Sequence, residues 1–169
     1  ENMSAVPAPQ ASVSPAVKTS PIVLRFTDRY MRPERNTLSA YDASEGALYV
    51  LFMLVLVSHE LAPRVFAVDN FDQALHPRLA QALTRLLAEQ VAKDGTRQVL
   101  ATTHNPLVLD GLDLTNPAIR LFAVDRSPQG ATQVRRIEVT PALLEEADKG
   151  LSLSRLWVMG RLGGVPRLL

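Results

Sequence analysis

A short apolar run, Val65-Phe66-Ala67-Val68, followed at once by Asp69 and then by Pro77, constrains this chain more than any other feature. Such a run predicts a strand covered on both faces by other elements. Pro77 suits the first turn of a helix, where its missing N–H costs nothing. Strand, polar loop and helix in that order build an open parallel sheet, and ligands gather at the carboxyl edge of such sheets. Asp69 stands where the strand would leave the sheet. A carboxylate there is placed to hold a hard cation such as Mg2+, directly or through water. From this stretch alone two readings stand side by side: a cation ligand at a sheet edge, or a surface Asp that ends a core strand.

After Pro77, Leu79, Leu83, Leu86 and Leu87 recur at helical spacing to about Lys93, with Arg78, Gln81, Arg85 and Glu89 on a solvated opposite face. Asp94-Gly95 ends that helix, and Arg97 to Ala101 predicts a second strand. It runs into Thr102-Thr103-His104-Asn105-Pro106. A histidine at a strand's end among small polar residues can donate to a phosphate or polarise a water. A lone histidine is more often a satisfied polar residue; His59 fits that description, and His76 fits either.

Upstream, Ser44-Glu45-Gly46 opens an apolar run that reaches Val57. Ser44 can cap a helix there, and Glu45 complements the positive end of its dipole. The same helix start is also an anion site, because its free N–H groups point outward. The helix is hydrophobic nearly all round and is expected to be buried. Pro21 to Phe26 predicts a strand, and the charged stretch Asp28 to Asn36, with Pro33, a loop. Residues 1–20, rich in Ala, Pro, Ser and Val with almost no charge, read as a disordered linker or lead-in. Opening on Glu1-Asn2-Met3, the sequence reads as a cut-out or processed piece. Near the other end, Ile119 to Arg126 and Thr132 to Val139 flank Ser127-Pro128-Gln129-Gly130, a hairpin signature. Pro141 to Lys149 and Leu153 to Met159 read as short helices with Trp157 in the core, and Arg161 to Pro166 as loop.

Composition excludes several classes. A chain of 169 residues is one domain's worth, and 47% hydrophobic with 21% charged residues is ordinary for a globular protein. A net charge of +1 gives no strong electrostatic case for nucleic acid or anionic membrane. No cysteine is present, which removes disulfide and thiol chemistry and fits a cytoplasmic location. No segment reads as a signal peptide or membrane span.

The order of the parts carries more than any one of them. Serine-acid-glycine opening a helix, an apolar strand with Asp69, Leu75-His76-Pro77, and a strand ending in Thr-Thr-His-Asn-Pro resemble the C-terminal half of ABC-type ATPases. The resemblance is nearest to bacterial ATPases of the AAA family related to SMC and OLD proteins. It runs from about Leu38 to Asp110 and more loosely to Gly164. It implies an α/β fold: the C-terminal lobe of a P-loop NTPase-like ABC ATPase head over residues 21–169, ending in a β-hairpin and small helices. Ser44 and Gly46, with Glu45 between them, match the signature motif that contacts nucleotide bound by the opposite head. Asp69 matches the Walker B carboxylate supporting Mg2+, Asp72 to His76 the D-loop region, and His104 the histidine facing the γ-phosphate. The cofactors implied are ATP and Mg2+. The partners implied are a head-to-head homodimer and an effector protein or DNA in repair or phage defence, with no membrane.

The chain departs from that pattern twice. Asn70 stands where the family usually has an acid, and an amide cannot accept a proton from attacking water, so slow hydrolysis is expected; Asp72 is the candidate substitute base. Nor does G-x-x-x-x-G-K-[ST] occur anywhere in the sequence. That backbone cradle and its lysine hold the phosphates, so a Walker A-bearing N-terminal half or companion chain is expected to supply them. The alternatives are a non-catalytic structural or regulatory half, and, third, a metal-dependent nuclease using Asp69, Asp72 and His104.

Overall fold

The computed structural model describes residues 2–7 and 21–162, which divide into two units, Glu1–Phe52 and Met53–Leu169. The first holds an antiparallel sheet ordered β1 (Asn2–Pro7), β2 (Ile22–Thr27), β3 (Thr37–Ser39). β1 corrects the expectation of a disordered lead-in. Val6 lies directly opposite Val23 and both are buried, so the pairing gives this weakly apolar stretch the burial that its composition does not promise. Across the same pair, Arg25 Nε donates to Ser4 Oγ at 3.3 Å. Residues 8–20 of the expected linker lie outside the described residues. Between β2 and β3 the loop closes where Asp28 N donates to Asn36 O at 2.8 Å, with a single 3-10 turn at Pro33–Arg35.

Helix α1 (Glu45–Ser58) contains the division between the units. Its apolar sequence predicts burial all round, and that is not what forms. Only Met53 and Val57, one turn apart, are buried, while Phe52 is 54% exposed. Leu48, Tyr49, Val50, Leu51, Leu54 and Leu56 are half-buried, so the cover over this helix is partial among the described residues.

The second unit is built on a strand–helix–strand crossover. β4 (Val65–Val68) pairs in parallel with β5 (Gln98–Ala101), Val65 opposite Gln98 and Val68 opposite Ala101. Between them α2 (Pro77–Asp94) buries Ala80, Leu83, Thr84 and Leu87, an i, i+3, i+4, i+7 stripe. Leu79 and Leu86, from the predicted apolar set, stay outside it. Gly95 ends the helix in the left-handed region at φ 65°, its N–H bonding Val91 O. The expectation that β4 is covered on both faces is not met. Phe66, Val68 and Val99 on one face are half-buried, whereas Val65 and Leu100 on the other are 61% and 54% exposed. β5 is the one strand paired with β4 among the described residues.

Arg97, just before β5, holds the crossover to the end of α1. Its Nη2 donates to His59 O at 2.7 Å, and Nη1 lies 3.3–3.4 Å from the carbonyls of Leu56, Ala62 and Pro63. Asp94 pairs with Nε at 3.2 Å. A cation at these carbonyls satisfies groups left over at the helix end and complements its negative pole.

Helix α3 (Pro106–Leu109) packs on both α2 and α5 (Leu153–Val158). Directly after α3, Gly111 lies against α2 so closely that an added Cβ would sit 2.5 Å from Gln81 O. Asp110 ties α3 to the start of α5, accepting from Ser154 N at 2.8 Å and from Ser154 Oγ at 2.6 Å. The predicted hairpin forms as β6 (Leu121–Arg126) and β7 (Thr132–Ile137). Its inner face joins Leu109, Leu156 and Leu162 in one apolar cluster through Ala123 and Ile137, with Trp157 partly buried against it. α4 (Pro141–Asp148) completes the elements; the expected tail beyond residue 162 lies outside the described residues. No helix among the described residues is long and apolar enough to cross a membrane.

Candidate functional site

The carboxyl ends of β4 and β5 lie side by side, so the two loops leaving them meet. The hinge of that meeting is Thr102. Its N–H donates to Val68 O at 3.0 Å and its carbonyl accepts from Phe71 N at 2.9 Å. Its hydroxyl accepts from Asn70 N at 2.9 Å and donates to Asp69 Oδ1. One residue therefore grips the whole turn from Val68 to Phe71. Asn70 makes that turn possible. It is the one non-glycine among the described residues with positive φ, at 48°, a conformation that Asn tolerates better than most side chains.

Thr103 repeats the arrangement one step further out. Its hydroxyl donates to Asp72 Oδ1 at 2.5 Å and accepts from Asn105 N at 3.0 Å. Asn105 in turn caps α3, its Oδ1 accepting from Leu107 N at 3.1 Å, with Pro106 at the first helical position. His104, between Thr103 and Asn105, is exposed. Asp69 is exposed and Asp72 half-buried. Phe71 and Leu75, buried under the acidic loop, anchor it from below. The loop closes on itself through Gln73 N to Asn70 O and Leu75 N to Asp72 O.

Of the residues singled out from the sequence, Asp69, Asn70, Asp72 and His104 come together at this edge. Ser44-Glu45-Gly46 belongs to the other unit. There the Ser44 hydroxyl accepts from Ala47 N at 3.3 Å, three residues on, so it serves as the cap of α1; Glu45 is exposed and Gly46 half-buried. His76 caps α2, its Nδ1 accepting from Arg78 N at 3.3 Å. His59 Nδ1 likewise accepts from Leu61 N at 3.2 Å. Thr102 and Thr103 are the site residues that sequence reasoning passed over. The signal available was two hydroxyl side chains directly after an apolar strand.

The chemistry of this edge suits a hydrated cation shared with a phosphate better than a metal held by protein alone. Among the described residues no three His, Asp or Glu side chains gather closely enough to hold a metal ion, so Asp69, Asp72 and His104 do not make the ligand set a nuclease reading requires. Mg2+ commonly takes one or two carboxylates, with waters and substrate phosphates completing its shell. Asp69 fits that role: one oxygen is fixed by the Thr102 hydroxyl, and the carboxylate is open to solvent.

No curated protein matches the chain. A solved structure from work on ATP-driven dimerization and DNA-stimulated activation of SMC ATPases is similar at 14% identity, over 79% of this chain and 72% of that one, with a TM-score of 0.49. That similarity is too distant to add to what the family comparison shows. Residues 4–110 match the model of a family described as "AAA domain, putative AbiEii toxin, Type IV TA system". That span takes in most of β1, all of β2 and α1, the β4–α2–β5 crossover and both loops of the site, and by it the chain belongs to this family of AAA-type, nucleotide-binding ATPase domains.

Proposed function

We propose that the edge formed by Asp69, Asn70, Asp72 and His104 is the hydrolytic side of an ATP site, and that the chain is the C-terminal lobe of an ABC-type ATPase head. The observation that carries this reading is the placement of Asp69 at the carboxyl end of β4, oriented by Thr102, with the loop bearing His104 bound to the loop bearing Asp72. In this reading Asp69 supports Mg2+, which when bound neutralises charge on the transferring phosphate. His104 donates to the γ-phosphate. Asp72 accepts the proton of the attacking water, a task the Asn70 amide cannot perform. The phosphate cradle comes from a Walker A-bearing segment or companion chain. Two heads then close on nucleotide, with Ser44 and Gly46 of each contacting nucleotide on the other, and closure switches a nuclease, DNA-binding or other effector partner.

The test is Mg2+-dependent ATP turnover by the protein assembled with its Walker A-bearing segment. Asp69→Asn should abolish it. Ser44→Arg should leave nucleotide binding in place and block nucleotide-induced dimerisation measured by light scattering with a non-hydrolysable analogue. Turnover that survives Asp69→Asn refutes the site. Dimerisation equal to wild type in Ser44→Arg returns Ser44 to a helix cap alone. Asn70 favours a second reading, a regulatory half that assembles with nucleotide without hydrolysing it; nucleotide-dependent assembly with no turnover selects it.

A further inference from the structure

We infer that Thr103 is a positioning residue that makes the Asp72 loop and the His104 loop act as one piece. The inference rests on the ATPase reading above and goes further, because it assigns a role to a side chain that touches neither nucleotide nor metal in that reading.

The loops leave two neighbouring parallel strands, and the backbone joins them at Phe71, whose N–H bonds Thr102 O. Past that point the Thr103 hydroxyl takes over. It donates across to Asp72 and at once accepts from Asn105 N two residues on in its own loop, so one hydroxyl ties the His104 turn to the Asp72 loop. Asn105 is fixed by its own bond to Leu107 N at the start of α3. His104 is therefore held on both sides, by Thr103 before it and Asn105 after it, while its exposed ring is left to meet a ligand. Asp72 is held from the other end by its carbonyl, which accepts from Leu75 N at 3.0 Å under the buried Leu75. A displacement of His104 toward or away from a phosphate thus moves the hydroxyl that orients the Asp72 carboxylate. Valine has the shape of threonine and neither hydrogen-bonding function, so Thr103→Val cuts the link and keeps the packing. Serine keeps the hydroxyl.

The experiment measures ATP turnover of the assembled protein for wild type, Thr103→Val, Thr103→Ser and Asp69→Asn, with folding checked by urea unfolding. Partners that orient a reacting group from behind typically contribute about 10–100-fold. Thr103→Val should lower kcat by that factor with KM for ATP unchanged, and Thr103→Ser should recover most of the loss. Where Thr103→Val does not fold, Thr103→Ala removes the hydroxyl without a new methyl and carries the same expectation. Wild-type kcat in Thr103→Val, equal loss in the Val and Ser variants, or a loss confined to KM overturns the positioning role while Asp69-dependent turnover still upholds the ATPase reading. Absent turnover in wild type, or turnover indifferent to Asp69→Asn, overturns both.

Discussion

Asn70 is the residue where backbone geometry and proposed chemistry meet, and substitution there separates them. Its φ of 48° is imposed by Thr102, which takes Asn70 N–H on its hydroxyl and Phe71 N–H on its carbonyl. An ordinary L side chain in the left-handed region costs about 1–2 kcal/mol; Gly escapes that strain and Asn reduces it through local hydrogen bonding. Asn70→Ala should therefore destabilise the protein by about 1 kcal/mol, while Asn70→Gly stays near wild type, its release of strain offset by greater unfolded-state freedom. With a urea slope of about 1–3 kcal/mol/M, the Ala variant's midpoint falls by roughly 0.3–1 M. Asn70→Glu carries the same strain as Ala but adds a carboxylate. It should lose about 1 kcal/mol in stability and gain turnover by roughly 10²–10⁴ if the missing base limits hydrolysis. An Ala variant as stable as wild type refutes the backbone argument. For the chemistry, unchanged turnover in Asn70→Glu with turnover abolished in Asp72→Asn assigns the base to Asp72. Turnover unmoved by either change removes the case for a base at this edge.

Two further outcomes follow from packing. Arg97→Ala should lower stability by about 2–3 kcal/mol, because one short charge-assisted bond to His59 O and a helix-end interaction are lost together; urea unfolding checks it, and Arg97→Lys, which keeps the charge but not the fork, should lose less. Gly111→Ala should cost about 1–3 kcal/mol by forcing its Cβ into Gln81 O and Thr84 Cβ, read as a lower midpoint with an unchanged slope.

The crossover was legible because its signals are local. Pro77 and Gly95 punctuate α2 at its ends, and the leucine period supplies its buried stripe through Leu83 and Leu87. The hairpin was equally plain, with Ser127-Pro128-Gln129-Gly130 standing between the two predicted strands. What sequence pattern could not deliver is which apolar surface finds a partner. Val65-Phe66-Ala67-Val68 is the same string whether one face is covered or two, and the exposed Val65 and Leu100 show that hydrophobicity sets a demand for cover without specifying what meets it. α1 makes the same point on a helix. β1 makes the converse point, since Asn2–Pro7 acquires strand structure from Ile22–Thr27, across a span of sequence that no local window takes in.

At the site the acids were legible and their supports were not. Asp69 stands out as a carboxylate directly after an apolar strand, and Asp72 as a second acid three residues on in the same polar loop. Thr102 and Thr103 do not stand out, because threonine is common at strand ends and its hydroxyl is as ready to bond water as protein. What gives them a role is the parallel register that sets Val68 beside Ala101 and so carries Thr102 to the turn at Asn70. That register comes from the whole crossover, from α2 returning the chain to the right height. The orienting hydroxyls are a property of the fold, and the two acids depend on them for their direction; a search by residue type finds the groups that react before it finds the groups that aim them.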